Sequence, residues 1–247
     1  DSVALLHALA ELRASSPQLE LSALHVHHGI SPNADAWAAF CVARCRDLGI
    51  PMQLLRVEVD RSSREGLEAA ARRVRYAAFA QVDADWLALA QHRDDQAETL
   101  LLNLLRGSGV SGLAAMPEER PLTGGIATLA RPLLSVPRAL IVDWLRARNL
   151  SWIEDESNDD VRLRRNFLRR EVLPLMACSF PDPGAALARA ANHLAENQLL
   201  AAEIAQEDAQ VAVVDGALCL TTLARLSVAR RANLMRHWLQ AHGARMP

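Results

Sequence analysis

The sequence contains no lysine: all 27 of its positive charges are arginine. A Walker-type phosphate loop needs a lysine to reach the terminal phosphates, and pyridoxal phosphate enzymes need one for a Schiff base. Both are excluded. An arginine-biased, alanine-rich genome is the ordinary cause of such a bias. Whatever the cause, any amine in the chemistry must come from a substrate or from the N-terminus. Aromatic residues are also scarce, at 4%. The four cysteines, Cys41, Cys45, Cys178 and Cys219, form no Cys-x-x-Cys pair. That usage fits a reducing, cytoplasmic compartment better than a disulfide scaffold. No run of about 18 apolar residues exists, so no membrane partner is expected. A net charge of −2 argues against a bulk polyanion binder but not against a local basic patch.

What is present is a 247-residue chain, 51% hydrophobic, long enough for one large domain with a smaller appendage. It opens on Asp1-Ser2 without an initiator methionine or signal peptide and stops at Met246-Pro247, which reads as a fragment or as the ordered part of a longer protein. Apolar spacing predicts helices over about 3–14, 33–48, 65–81, 94–106 and 137–148. Strands are predicted at 19–28, 52–59, 85–90 and 127–129. This alternation predicts an α/β fold with an open, mostly parallel sheet and helices on both faces. The opening helix is expected to follow a strand upstream. Beyond about 160 the alternation stops. A helix over 162–175, a hinge at 179–184, a mainly helical extension and one hairpin around Asp215-Gly216 are expected. The domains are therefore placed at 1–178 and 179–247.

Ligands of an open parallel sheet bind beyond the C-terminal ends of its strands. Three polar groups fall there. Asp1-Ser2 stand at the start of the first helix, which suits either an anion site or a plain helix cap. His25-Val26-His27-His28-Gly29 ends a strand, with His25 and His27 on one face and His28 on the other. Three histidines suggest metal, but no carboxylate or thiolate partner stands at suitable spacing. His92-Arg93-Asp94-Asp95-Gln96-Ala97-Glu98-Thr99 marks a strand-to-helix passage. Acidic residues at a helix start are ordinary, yet His, Asp, Asp, Gln and Glu packed together suit holding Mg²⁺ on phosphate oxygens or receiving an ammonium. Two basic groups complete the set: Arg72, Arg73 and Arg75 beside Tyr76, and Arg162 to Arg170. Glu68, four residues before Arg72, predicts a surface salt bridge there. The second run, lying just after an acidic stretch at 154–160, suits either mutual neutralisation or nucleic-acid phosphate.

These segments resemble the bacterial tRNA(Ile)-lysidine synthetases, members of the N-type ATP pyrophosphatase or PP-loop family. Asp1-Ser2 match the end of that family's Ser-Gly-Gly-x-Asp-Ser loop. The His25–Gly29 segment, the Glu68–Tyr76 helix and His92–Thr99 match as well. So do Leu104–Gly109, Arg131-Pro132-Leu133-Leu134, Trp152–Asn158 and Arg165-Asn166-x-Leu168-Arg169. The resemblance covers most of 1–175 and is weaker beyond 180. It implies an adenine-nucleotide α-hydrolase-like fold and an enzyme that adenylates the wobble cytidine of an isoleucine tRNA with a CAU anticodon. The amine of free L-lysine then attacks C2 of that base, and AMP and pyrophosphate are released. ATP is a substrate and Mg²⁺ a cofactor. Asp1 and Ser2 would serve the pyrophosphate and Mg²⁺ end, and His27 and His92 would line the ATP site. Asp95 and Glu98 would handle Mg²⁺ or lysine, without a division of the two roles. Arg75, Arg165 and Arg169 would contact tRNA or phosphate. The oligomeric state stays open, a homodimer included.

The sequence departs from the family in lacking the Ser-Gly-Gly part of the loop, in Gln91 where many members have histidine, and in most of the C-terminal lobe. The 247 residues alone are therefore expected to be inactive. Competing readings are a tRNA thiolase, which would want Cys-x-x-Cys pairs, and a metal-dependent hydrolase using His25, His27, His92 and Asp94. A catalytically dead tRNA-binding module is the third.

Overall fold

The structure, a computed structural model, describes residues 1–64 and 66–244. Glu65, the predicted start of one helix, and the Met246-Pro247 end lie outside the described residues. In chain order the elements are α1 (Ser2–Ser15), β1 (Ala23–His27), α2 (Ala34–Asp47), β2 (Met52–Arg56), α3 (Leu67–Phe79), β3 (Trp86–Ala88) and α4 (Arg93–Leu105). Then come α5 (Val110–Leu113), β4 (Glu119–Pro121), β5 (Thr128–Ala130), α6 (Arg138–Ala147), α7 (Arg164–Phe167) and α8 (Leu173–Ala177). The chain continues with α9 (Pro183–Ala212), β6 (Val213–Val214), β7 (Ala217–Leu218), α10 (Leu220–Arg225) and α11 (Val228–Ala241). Packing divides it into two compact units, Asp1–Asp95 with Glu118–Asp160, and Gln96–Pro117 with Val161–Pro247.

In the first unit β1 pairs with β2 in parallel, and β3 pairs with β5 in parallel. Strand β4, absent from the sequence reading, adds an antiparallel edge to β5. Its three residues, Glu-Arg-Pro, carry no apolar alternation and end on a proline that only an edge tolerates. Leu24 and Val26 of β1, Leu87 of β3 and Leu129 of β5 pack on one cluster with Tyr76 and Phe79 of α3. A second cluster joins Ala4 of α1 to Ile141 and Leu145 of α6. The expected α/β architecture, mostly parallel strands with covering helices, is therefore present, with the strands hydrogen-bonded in two separate ladders, β1–β2 and β3–β5–β4. Leu67, the first residue of α3, is exposed, although apolar spacing over 65–81 puts it on the same helix face as the buried Ala70, Ala71 and Ala78.

In the second unit the chain after α4, which carries Gly107, Gly109 and Gly112, folds in part into α5. There Asn103 Nδ2 donates to the Gly112 carbonyl at 2.7 Å, and a Cβ on Gly112 would meet Ser108 Cβ at 2.6 Å. Between α7 and α8 a five-residue π-helical segment, Leu168–Val172, continues the helical path. The predicted hinge ends on Asp182, at φ +84°, whose carboxylate caps α9 by accepting from the Ala185 amide at 2.9 Å. The hairpin forms as expected, β6 antiparallel to β7, with Asp215 and Gly216 both at positive φ. Such backbone suits an Asp-Gly type I′ turn. Among the described residues no helix is long and apolar enough to cross a membrane.

Leu129 has no solvent exposure and sits at the centre of the first unit's core. Leu129→Ala is expected to destabilise that unit by about 3 kcal/mol, measured by urea denaturation of the purified protein.

Candidate active site

The site begins where β3 ends. His92 stands just before α4 and is 1% exposed. Its backbone N–H donates to Asp95 Oδ2 at 3.1 Å, and the Asp95 N–H donates to His92 Nδ1 at 3.4 Å. This is a reciprocal capping box with histidine in the place of the usual serine or threonine. It has a chemical consequence. Nδ1 accepts, so the neutral imidazole carries its proton on Nε2. Nε2 lies 3.4 Å from Asp95 Oδ2 and 3.4 Å from Asp1 Oδ2. One buried N–H thus stands between two carboxylates.

Asp1 precedes α1 but makes no side-chain cap there. The plain-cap reading fails, and its carboxylate faces His92 and, at 3.7 Å, Arg138 Nε. Asp94 does serve as a cap, but for another helix: its Oδ2 accepts from the Arg138 amide at the start of α6, at 3.0 Å. The Arg93 N–H donates to the Val136 carbonyl at 3.0 Å, so the β3–α4 turn is fastened to the α6 entry. Sequence reasoning missed Arg138. A cation in a helix's first turn opposes the dipole, and that anomaly was the available signal. Two carboxylates beside a helix start fit a hard divalent cation that also takes phosphate oxygens and water. Ser2, the first residue of α1, is exposed.

At the end of β1 the histidines separate. His27 is buried, and its Nε2 lies 3.2 Å from Asp35 Oδ1. Arg56 binds the same Asp35 oxygen at 2.8 Å, and this hydrogen bond holds the Asp35 carboxyl below its ordinary range. Burial pushes the His25 and His28 pKa values down, and His27 and Arg75 add to the respective effects. His28 Nδ1 and Arg75 Nε are buried without a hydrogen-bond partner. The hydrolase reading finds no support here. Among the described residues no group of three or more histidine, cysteine, aspartate or glutamate side chains is placed to hold a metal. His27 is committed to Asp35, and Asp94 to the α6 amide.

Within the second unit Glu98 is fully buried. Arg169 Nε donates to its Oε1 at 2.6 Å, and Arg165 Nε and Arg169 Nη2 donate to Oε2 at 2.6 and 3.1 Å. Two guanidinium groups on one carboxylate leave a net positive charge. The expectation that Glu98 meets Mg²⁺ or lysine directly therefore encounters a carboxylate already engaged, while the neighbouring arginines carry the surplus charge. Arg169 lies in the π-helical segment, a distortion frequent at functional sites. Gln96, also buried, pairs with the Met116 backbone through both amide atoms, at 2.8 and 3.0 Å, which is a structural role.

Residues 1–176 match the PP-loop domain model, and residues 218–247 match the TilS substrate binding domain. The chain is 46% identical to the tRNA(Ile)-lysidine synthase of Chromobacterium violaceum, covering 98% of this chain and 56% of that protein. It is 49% identical to that of Xanthomonas axonopodis pv. citri, covering 100% and 56%. It thus spans about half the length of these relatives. Among solved structures, the U34-tRNA thiolase NcsA from Methanococcus maripaludis superposes with a TM-score of 0.63 at 16% identity, over 79% of this chain and 68% of that one. This last likeness is one of fold.

Two outcomes follow from the geometry. Folded His25 and His28 bind protons more weakly than the unfolded chain, whose imidazoles titrate near ~6.5. Their contribution to stability is thus full above that value and is lost as pH falls through their folded values. The melting temperature of the protein should drop on acidification below about pH 6.5, and His28→Gln should flatten the slope; an unchanged slope would contradict the assignment. Breaking a buried ion pair costs about 3–5 kcal/mol. Here the guanidinium groups are 29% and 30% exposed, so Glu98→Ala is expected to cost about 2–3 kcal/mol after solvent screening, read by chemical denaturation.

Proposed function

The chain belongs to the PP-loop domain family, and from that premise we propose that it carries the ATP-using portion of a tRNA(Ile)-lysidine synthase. The observation that carries the proposal is the His92 capping box, which sets Asp1 and Asp95 side by side at the end of a parallel strand. Identities of 46–49% to synthases along nearly the whole chain support the choice of reaction. So does the match of 218–247 to a substrate binding domain.

On this reading ATP binds at the C-terminal ends of β1 and β3, with Asp1 and Ser2 at the pyrophosphate end and His27 and His92 lining the nucleotide. Asp1 and Asp95 would hold Mg²⁺, which when bound supplies positive charge to the phosphate oxygens. The wobble cytidine of a CAU-anticodon isoleucine tRNA is adenylated and pyrophosphate leaves. The lysine side-chain nitrogen then forms a bond to C2 of the base, the bond from C2 to the AMP oxygen breaks, and a proton leaves the amine. The two acids divide the work. Asp95, partly exposed, is left for Mg²⁺ or the lysine ammonium, whereas Glu98 holds Arg165 and Arg169 in place. Those guanidinium groups in the second unit, and separately Arg75 in the first, would contact tRNA or phosphate charge. His92 orients both carboxylates through its fixed tautomer. The reaction belongs to the cytoplasm, where its tRNA and ATP are.

The test supplies the full-length protein with ATP, radiolabelled lysine and an unmodified isoleucine tRNA transcript. Lysine is expected to enter the tRNA with stoichiometric AMP release; failure to enter would overturn the reading. Asp95→Asn retains an oxygen able to accept the His92 N–H, so the fold should survive while incorporation falls at least about 100-fold. Normal turnover in that variant would remove Asp95 from the site.

A further inference from the structure

Tyr76 on α3 gathers arginines. Arg72 Cζ lies 4.8 Å from the ring centroid and Arg120 Cζ 5.5 Å from it. Arg72 Nη2 also donates to the Tyr76 hydroxyl at 3.2 Å. Arg131 is buried beneath them and bonds to the same phenol. The salt bridge from Glu68 to Arg72 that the sequence predicts is not formed. Arg72 turns four residues forward, onto Tyr76. Strand alternation in β4 places Arg120 on the opposite face from Glu119, and its guanidinium donates to the Pro121 carbonyl at 3.2 Å. Neither Arg72 nor Arg120 forms an ion pair with any described carboxylate.

Like charges drawn around one ring repel one another, and cation–π attraction offsets only part of that. A protein whose net charge is −2 has carboxylates to spare, yet among the described residues none pairs with Arg72 or Arg120. Arg72 is exposed and Arg120 half-buried, so an incoming anion can reach both. Planar guanidinium groups held at fixed spacing by an aromatic platform suit bidentate contacts to neighbouring phosphates of one strand. We propose that this α3–β4 face is a docking surface for the phosphodiester backbone of RNA, with Arg72 and Arg120 as the phosphate contacts. Arg131 and Tyr76 hold the two in place. The choice of RNA rests on the lysidine-synthase reading; the surface itself does not.

The experiment titrates a fluorescent isoleucine tRNA transcript with the full-length protein over a salt series and measures ATP affinity in parallel. Each arginine lost from a phosphate contact lowers the salt slope by about 1. Arg72→Gln should therefore flatten the slope by about 1, and Arg72→Gln with Arg120→Gln by nearly twice that, with about ten-fold weaker binding near ~0.15 M salt. ATP affinity should not change. Arg146→Gln, an exposed arginine paired with Asp143 on α6, serves as the control and should leave both unchanged. Unchanged tRNA binding in the double variant overturns the proposal. So does equal loss in the control, or a parallel loss of ATP affinity. Because Arg72 is exposed, its single variant folds and keeps the test decisive. Arginine-dependent RNA binding without lysine incorporation would keep the docking surface and sink the lysidine reading.

Discussion

The reciprocal hydrogen bonds between His92 and Asp95 are the constraint on which the site depends. They do two jobs with the same atoms. As a helix cap they satisfy amides at the start of α4, which otherwise go unpaired. As a tautomer lock they place one proton on Nε2, between Asp1 and Asp95. The stability of a helix terminus and the geometry of two acids are thereby one quantity. Asp94 and Arg138 extend the arrangement by tying this turn to the start of α6.

Arginine does the structural work that lysine shares in most proteins. Its guanidinium stays charged under all ordinary conditions and offers several donors in a plane. The chain sets it around single partners, in pairs with Arg165 and Arg169 on Glu98 and Arg72 and Arg120 on Tyr76, and singly with Arg230 on Asp208. In the first two the arginines outnumber the acids. Positive charge is thus concentrated at selected places in a molecule whose total charge is slightly negative, which suits a polyanionic partner held at defined points.

The sequence made the α/β alternation legible because strand and helix periods differ and because Gly and Pro punctuate them. The Asp215-Gly216 hairpin was legible for the same local reason. Strand β4 was not, since three residues without alternation acquire strand geometry only from β5 beside them. The candidate site divides likewise. Asp1, His92 and Asp95 stood out because strand-to-helix passages collect ligands in sheets of this kind. Arg138, Asp35 and Arg56 did not, since each matters through a partner distant in the chain. Glu98 was visible as an acid at a helix start, but its engagement by two arginines near 167 depends on tertiary packing. The Glu68–Arg72 bridge shows the reverse error, a sound local rule overruled by the attraction of an aromatic ring.

The π-helical segment at Leu168–Val172 carries one residue more than a regular helix of the same path would need. Removing it would restore the i to i+4 ladder and turn everything on one side by about 100° relative to the other. Arg165 and Arg169 face Glu98 on the near side, while α8 on the far side packs against α9. A regular helix could satisfy either face but not both. The extra residue acts as a phase shifter, and the length of this stretch is therefore as much a requirement as the identity of Arg169 within it.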